Sequence, residues 1–290
     1  MTHVADEIAS QPQCWRRALE LTPSGLPEPG ERVAVVGCGT SLYIAQAYAA
    51  LREGAGLGET DAFAASEFPA DRAYDRILAI SRSGTTTEVL AALARAAGTP
   101  TTALTGVPAT PISAVAGAVI DLGFADETSV VQTRFATTAL VLLRAHLGAV
   151  PADLPEQAER ALLAPLPEEA AGARQFTFLG TGWTVGLANE AALKLREASG
   201  SWTESYPAME YRHGPISVSG PDSVVWFFGE PPTGLLDQVL ATGAAASVSP
   251  LDPLADLVRA QRLAVELATA RGLDPDRPRN LTRSIILTTS

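Results

Sequence analysis

Basic residues are scarce in this sequence and never run together, which removes several kinds of partner at once. The 290 residues carry 21 Lys and Arg against 32 Asp and Glu, a formal net charge of −11. A surface that grips a phosphodiester backbone needs a basic patch or stripe; none stands out, so nucleic acid is not an expected partner. Cysteine is rarer still. Cys14 and Cys38 have no CxxC spacing and no histidine beside them, so neither a disulfide framework nor a zinc site is expected. His3, His146 and His213 are scattered, and no structural metal is expected from them. The opening MTHVADEIASQ is acidic where a secretory leader would be basic, and no apolar stretch follows it. The apolar run TTALVLLRAHLGAV is broken by Arg144 and His146, short of the ~20 residues that span a bilayer. A soluble, cytoplasmic protein with no membrane partner is expected. Gly37-x-Gly39-x-x-Leu42 and Gly180-x-Gly182-x-x-Val185 both lack the third glycine of the dinucleotide fingerprint, and no GxxxxGK[ST] occurs. No cofactor is expected.

What is present is alternation. RVAVVG (32–37), DRILAIS (75–81) and TPTTALTG (99–106) are short apolar runs, each followed by a segment with helical spacing such as SLYIAQAYAALRE or TTTEVLAALARAA. Strands alternating with helices predict a parallel sheet covered on both faces. At roughly 150 residues per domain the length suggests two domains. Residues 149–173, with Pro151, Pro155, Pro165 and Pro167, read as a linking helix and connection. Beyond it the pattern starts again: VVGCGTSLYIAQAYAAL (35–51) and FLGTGWTVGLANEAALKL (178–195) share an apolar-Gly-x-Gly-hydroxyl turn before an alanine-rich helix. DRILAISRSGTTTEVL has its counterpart in DSVVWFFGEPPTGLLDQVL (222–240), where the hydroxyl cluster is gone.

That cluster, Ser81, Ser83, Thr85, Thr86 and Thr87 around Gly84, sits where a strand should turn into a helix. A helix N-terminus offers unpaired N–H groups and partial positive charge, and hydroxyls there can donate to an anion's oxygens. A phosphate monoester fits Ser81, Ser83 and Thr86 without a lysine. The plainer alternative is a Ser/Thr N-cap with Glu88 in the first turn, although a cap needs only one hydroxyl. Thr40 and Ser41 of GCGTS are placed at a second strand-to-helix turn, in the region where open α/β sheets bind ligands.

Taken together in order, GCGTS (37–41), SEF (66–68), SRSGTTTE (81–88), ETSVVQT (127–133), NEAALKLREASG (189–200), YRHGP (211–215) and DPDRPRNLTRSI (274–285) make the chain resemble the tandem sugar isomerase (SIS) domain family. The likeness is greatest to the isomerase half of glucosamine-6-phosphate synthase and to stand-alone amino-sugar-phosphate deaminase/isomerases. The resemblance implies an α/β chain of two tandem SIS domains, each a flavodoxin-like parallel sheet flanked by helices on both faces. The expected divisions are a helical arm (1–30), a phosphosugar-binding domain (31–148), a linker helix (149–173), and a second domain (174–290) whose C-terminal tail returns to the active site.

The resemblance also implies roles. Ser81, Ser83 and Thr86 would bind the sugar phosphate, with Arg82 where a glutamine is common; Thr40 and Ser41 would contact the sugar, and Val130 would line the pocket through its backbone. Glu197 matches the carboxylate that moves a proton between C1 and C2, with Lys194 one turn before it, and His213 matches the ring-opening histidine, supplied across a homodimer. Read as residues alone, Glu190, Lys194 and Glu197 are an exposed helical charge ladder. Two departures from the family are expected to matter. No glutaminase segment precedes MTHVADEI, and Arg283 stands where the synthase has an imine-forming lysine; a guanidinium stays protonated and is a poor nucleophile. The expected reaction is therefore metal-free deamination of a hexosamine 6-phosphate, with aldose–ketose isomerisation, fructosamine-6-phosphate deglycation, or a non-catalytic phosphosugar sensor as alternatives. An isomerase subunit serving a separate glutaminase is a further possibility.

Overall fold

The structure is a computed structural model and describes residues 2–69, 71–96 and 98–287. The chain begins with two short helices, α1 (His3–Ala9) and α2 (Gln11–Leu19). Thr2 caps α1 by accepting the Ala5 N–H, and Trp15 of α2 is fully buried, with its indole N–H donated to the Thr137 hydroxyl at 3.0 Å.

Among the described residues nine strands and eight further α-helices follow. The first group is β1 (Val33–Gly37), α3 (Thr40–Gly54), β2 (Thr60–Ala64), β3 (Arg76–Ile80), α4 (Thr87–Arg95), β4 (Thr101–Thr105), α5 (Ile112–Val115), β5 (Ala118–Asp121) and α6 (Arg134–His146). Its five strands are all parallel, in the order β2-β1-β3-β4-β5, the flavodoxin-like order with its switch point between β1 and β3. Every residue of β1 is buried, because a central parallel strand is covered on both faces. Ala34, Val36, Ile77 and Ala79 pack on Val89, Ala92 and Leu93 of α4, while α3 and α6 pack together.

The second group is α7 (Leu154–Leu163), β6 (Gln175–Gly180), α8 (Thr184–Ser199), β7 (Trp202–Pro207), β8 (Ser223–Phe228), α9 (Leu235–Ala241), β9 (Ala245–Val248) and α10 (Pro253–Ala270). Its four strands are again all parallel, in the order β7-β6-β8-β9. Leu179, Val225 and Phe227 pack on Leu235 and Val239 of α9. Neighbouring Trp226 points the other way, as alternation along a strand requires, and donates its indole N–H to Asp256 of α10 at 2.6 Å.

The two groups form two compact units whose ends are exchanged in sequence. One unit holds Gln13–Val150 with Thr282–Ser290; the other holds Met1–Pro12 with Pro151–Leu281. We call them the first and second α/β unit. Among the described residues no helix is long and apolar enough to cross a membrane.

Candidate active site

In the first unit the chemistry-bearing residues gather at the C-terminal ends of β1 and β3. β1 ends at Gly37, where a Cβ would lie 2.7 Å from the Ser41 carbonyl carbon, so the first turn of α3 closes directly onto the strand end. Thr40 and Ser41 open that helix and are both 3% exposed. Beyond β3, the Ser81 N–H donates to Leu104 O and the Gly84 N–H to Ser81 O, folding residues 81–84 into a tight turn. Gly84 has φ +62, and a Cβ there would meet Thr110 Oγ1 at 2.1 Å. The glycine is thus required by the Thr110–Ile112 backing of the turn.

A small cavity of about 30 Å³, the size of one water, is lined by Cys38, Ser41, Ser81, Ser83, Thr86, Gln132 and Arg283, among others. Among the buried polar atoms at this place, Ser81 Oγ and Gln132 Oε1 have no hydrogen-bond partner within the described residues. An unpaired buried hydroxyl costs about 1–3 kcal/mol, so Ser81 stands out as a donor held ready for something else. Thr86 occupies the N-cap position of α4 and makes no side-chain cap bond. Ser83 Oγ accepts from the Thr85 N–H at 3.2 Å and lies 3.1 Å from Ser284 Oγ. The Thr87 N–H is donated to Ile285 O at 3.2 Å. The tail from Thr282 therefore lies along the hydroxyl turn. Burial, with Glu88 nearby, pushes the Cys38 thiol up, so it is held as the neutral, unreactive thiol at neutral pH.

Arg82 is buried, and its guanidinium donates to the carbonyls of Ser129 (2.9 Å), Val130 (3.3 Å) and Arg283 (2.8 Å). It stitches the 129–130 segment and the tail to the turn, and Val130 enters through its backbone. Sequence reasoning missed the two acids beneath it. Glu127 lies 4.0 Å from Arg82 and accepts from the Thr133 hydroxyl and the Arg134 N–H at the start of α6. Asp126 pairs with Arg283 at 2.5 Å. Their only sequence signal was position, immediately before and at the start of ETSVVQT.

In the second unit the charges of α8 form a buried line. Lys194 sits 3.5 Å from Glu190 and 2.5 Å from Glu197; the lysine and Glu190 side chains are 1% and 0% exposed, and Glu197 is 19% exposed. An exposed ladder would leave all three in water. Here only Glu197 reaches an open surface, a pocket it shares with Gly200, Gly272–Asp274 and Arg277–Arg279. His213 is exposed at the end of a 3₁₀ turn (Glu210–His213), with Gly214 at φ +135 behind it. Its side chain has no hydrogen bond or ion pair among the described residues. Among the described residues no group of three His, Cys, Asp or Glu side chains could hold a metal ion.

No family model matches the chain. It is 30% identical over 315 residues to the isomerizing glutamine–fructose-6-phosphate aminotransferase of Gloeobacter violaceus, a span covering 88% of this chain and 52% of that protein. The chain thus spans about half the length of the curated relatives it matches. Among solved structures it is similar to a glucosamine-6-phosphate deaminase from Thermotoga maritima, with a TM-score of 0.82 and 24% identity over 99% of this chain and 100% of that one. It is also similar to the tagatose-6-phosphate ketose/aldose isomerase from Escherichia coli, with a TM-score of 0.75 and 19% identity over 95% of each chain. The parallel sheets flanked by helices are those of the SIS phosphosugar isomerase fold, and the sequence is related to the isomerizing aminotransferases.

Proposed function

We propose that this SIS-fold protein is a phosphosugar isomerase whose reaction is deamination of a hexosamine 6-phosphate by proton transfer between C1 and C2. On this reading the hydroxyl turn at 81–86 is the phosphate-binding element and Glu197 is the carboxylate that moves the proton. Each α/β unit then holds one SIS copy, within 31–148 and 174–281, and the tail from Thr282 belongs with the first. The names of the relatives support a sugar-phosphate isomerase enzyme in general. The carrying observation is the buried line Glu190–Lys194–Glu197. Burying the Lys194 ammonium and the Glu190 carboxylate is costly unless they serve one another, and Glu197 adds a second carboxylate at the pocket, a formal excess of one negative charge. That charge suits a group that takes one proton and returns it.

The step balances without an enzyme amine. Glu197 removes the C2 proton and delivers it to C1 while an N–H proton passes to O1, which makes the C2–N bond a ketimine; water adds at C2 and ammonia leaves, giving the ketose 6-phosphate. Because the substrate's own nitrogen supplies the imine, Arg283 is compatible with the reaction; paired with Asp126, it offers fixed positive charge to a developing enediolate or O1. His213 opens the sugar ring from a second copy of the chain, in keeping with its exposed side chain. No cofactor enters the scheme.

The test is turnover of hexosamine 6-phosphates in heavy water. Ammonia release with deuterium at C1 is expected. Glu197→Gln should lower both by about 10²–10⁴-fold while a hexitol 6-phosphate still binds. Robust turnover by that folded variant would overturn the mechanism, and aldose–ketose exchange without ammonia would replace deamination by simple isomerisation.

A further inference from the structure

The pocket beside Glu197 is far larger than ammonia needs. It measures about 500 Å³, within the range of sites that enclose whole small molecules. Its lining carries three guanidinium groups, from Arg196, Arg277 and Arg279, against two carboxylates, Glu197 and Asp274. In a chain of net charge −11 that balance is unusual, and the hydrogen bonds show which charges are already committed. Arg196 donates to the Thr203 carbonyl and hydroxyl at 3.3 and 3.0 Å. Glu197 pairs with Lys194. Asp274 accepts from the Asp276 N–H at 3.0 Å, and Asp276 in turn caps α1 by accepting from the His3 and Val4 N–H groups at 2.8 Å each.

Arg277 and Arg279 have no such partner among the described residues. They stand on a loop fixed at both of its acids and at two buried prolines, Pro275 and Pro278, and Arg271 ties the end of α10 to the end of α8 through Ser199 O and Ser201 Oγ. The loop's acids are turned to structural work and its two arginines are left over a pocket that opens on Glu197. A guanidinium pairs with a planar carboxylate through parallel charge-assisted hydrogen bonds.

We propose that this pocket binds an organic carboxylate through Arg277 and Arg279. The carboxylate has two possible sources. It is either a substituent on the substrate nitrogen, which would make the preferred substrate an N-carboxyalkyl hexosamine 6-phosphate releasing an amino acid, or a free small carboxylic acid held beside Glu197. The first source rests on the deamination reading; the second does not.

Two measurements on the full chain separate them. In a titration with succinate, the Arg277→Ala/Arg279→Ala variant should bind at least about tenfold more weakly than the unaltered protein, as expected for loss of charge-assisted hydrogen bonds, and the Arg277→Lys/Arg279→Lys variant should fall between them. Binding of a hexitol 6-phosphate reports that each variant is folded. In the second measurement, turnover of N-carboxymethylglucosamine 6-phosphate is compared with that of its amide. A substrate-borne carboxylate predicts a preference for the acid that falls about tenfold in the alanine variant. A free carboxylate predicts that succinate binding depends on the arginines while the acid-to-amide ratio does not change. If the alanine variant binds succinate as well as the unaltered protein and the ratio is also unchanged, the carboxylate site is overturned. Absence of turnover with every hexosamine 6-phosphate would defeat the deamination reading and the substrate-borne source, leaving succinate binding to decide the free one.

Discussion

In both α/β units the first strand ends on a glycine that the following helix makes irreplaceable. A Cβ on Gly37 would lie 2.7 Å from the Ser41 carbonyl carbon, and one on Gly180 would lie 2.3 Å from Thr184 O; two residues on, Gly39 and Gly182 have φ +56 and +58. After the next central strand the units part. β3 runs into Ser81-Arg82-Ser83-Gly84-Thr85-Thr86, whereas β8 runs into Gly229-Glu230-Pro231-Pro232-Thr233-Gly234. The second unit makes its strand, turn and helix without the hydroxyl cluster. The first turn is therefore a requirement of the fold, and the hydroxyls of Ser81, Ser83 and Thr86 need a reason outside it.

The comparison breaks first, and hardest, on catalysis. If each unit supplies a different role and His213 works from a second copy, Glu197→Gln and His213→Ala proteins should each be nearly inactive, and mixing them under conditions that exchange subunits should restore part of the activity. Unrestored activity in demonstrated hybrids would confine both residues to one copy or remove His213 from the reaction.

Next in size is the cost of a methyl group at the two second turns. Gly84→Ala puts a Cβ 2.1 Å from Thr110 Oγ1 at φ +62, whereas at Gly234, φ +72, the nearest atom to a Cβ is the tip of Arg212 at 3.9 Å. Left-handed backbone alone costs a non-glycine residue about 1–2 kcal/mol, so Gly234→Ala should lose about that much in urea unfolding. Gly84→Ala should lose more, because backbone strain and collision add.

Removal of the hydroxyls separates fold from ligand more gently. Ser81 Oγ has no partner within the described residues, so Ser81→Ala should leave unfolding stability within about 0.5 kcal/mol or raise it slightly, while hexitol 6-phosphate binding weakens by about 1 kcal/mol or more. Ser83→Ala and Thr86→Ala should weaken the same ligand by similar amounts; Thr233→Ala in the second unit should not. Unchanged affinity in all three first-unit variants would return those hydroxyls to a local structural role.

The smallest effect lies at the opposite ends of the strands. Before β1, Arg76 pairs with Glu31 at 2.8 Å with both side chains largely covered, 16% and 21% exposed; before β6, Arg174 and Asp222 are 3.8 Å apart and 86% and 71% exposed. The Arg76 hydrogen bond, aided by the Glu28 backbone, holds the Glu31 carboxyl below its ordinary 4.5 against the opposing effect of burial. A lowered folded value gives stability that is fully present above the ordinary value and is lost as pH falls through the lowered one. Glu31→Gln should therefore cost about 0.5 kcal/mol near neutral pH, with the difference from the unaltered protein vanishing in acid. Asp222→Asn should change melting at neither pH.

Sequence reading reached some of these elements more easily than others. RVAVVG, DRILAIS and DSVVWFFG carry the central strands β1, β3 and β8, because strands covered on both faces must be continuously apolar. The edge strands β2 (TDAFA), β5 (AVID), β7 (WTESYP) and β9 (AASV) were not singled out; half-exposed and chemically mixed, they have no run to recognise. The hydroxyl turn was legible as a cluster. That Arg82 spends its guanidinium on three backbone carbonyls was not, because those carbonyls lie 47, 48 and 201 residues away in sequence.

The sequence by itself determined the alternating α/β architecture, the glycine-bounded strand ends, the presence of the hydroxyl cluster in one unit only and the spacing of Glu190, Lys194 and Glu197 on one helix, since each depends on residues a few positions apart. Only the tertiary structure decided that this line of charge is buried with Glu197 alone at a pocket, that Ser81 keeps an unpaired hydroxyl, and that residues 283–287 lie on the hydroxyl turn. Burial and pairing are set by what folds over a side chain, and the packing surfaces here come from segments far away in the chain, where local periodicity carries no information.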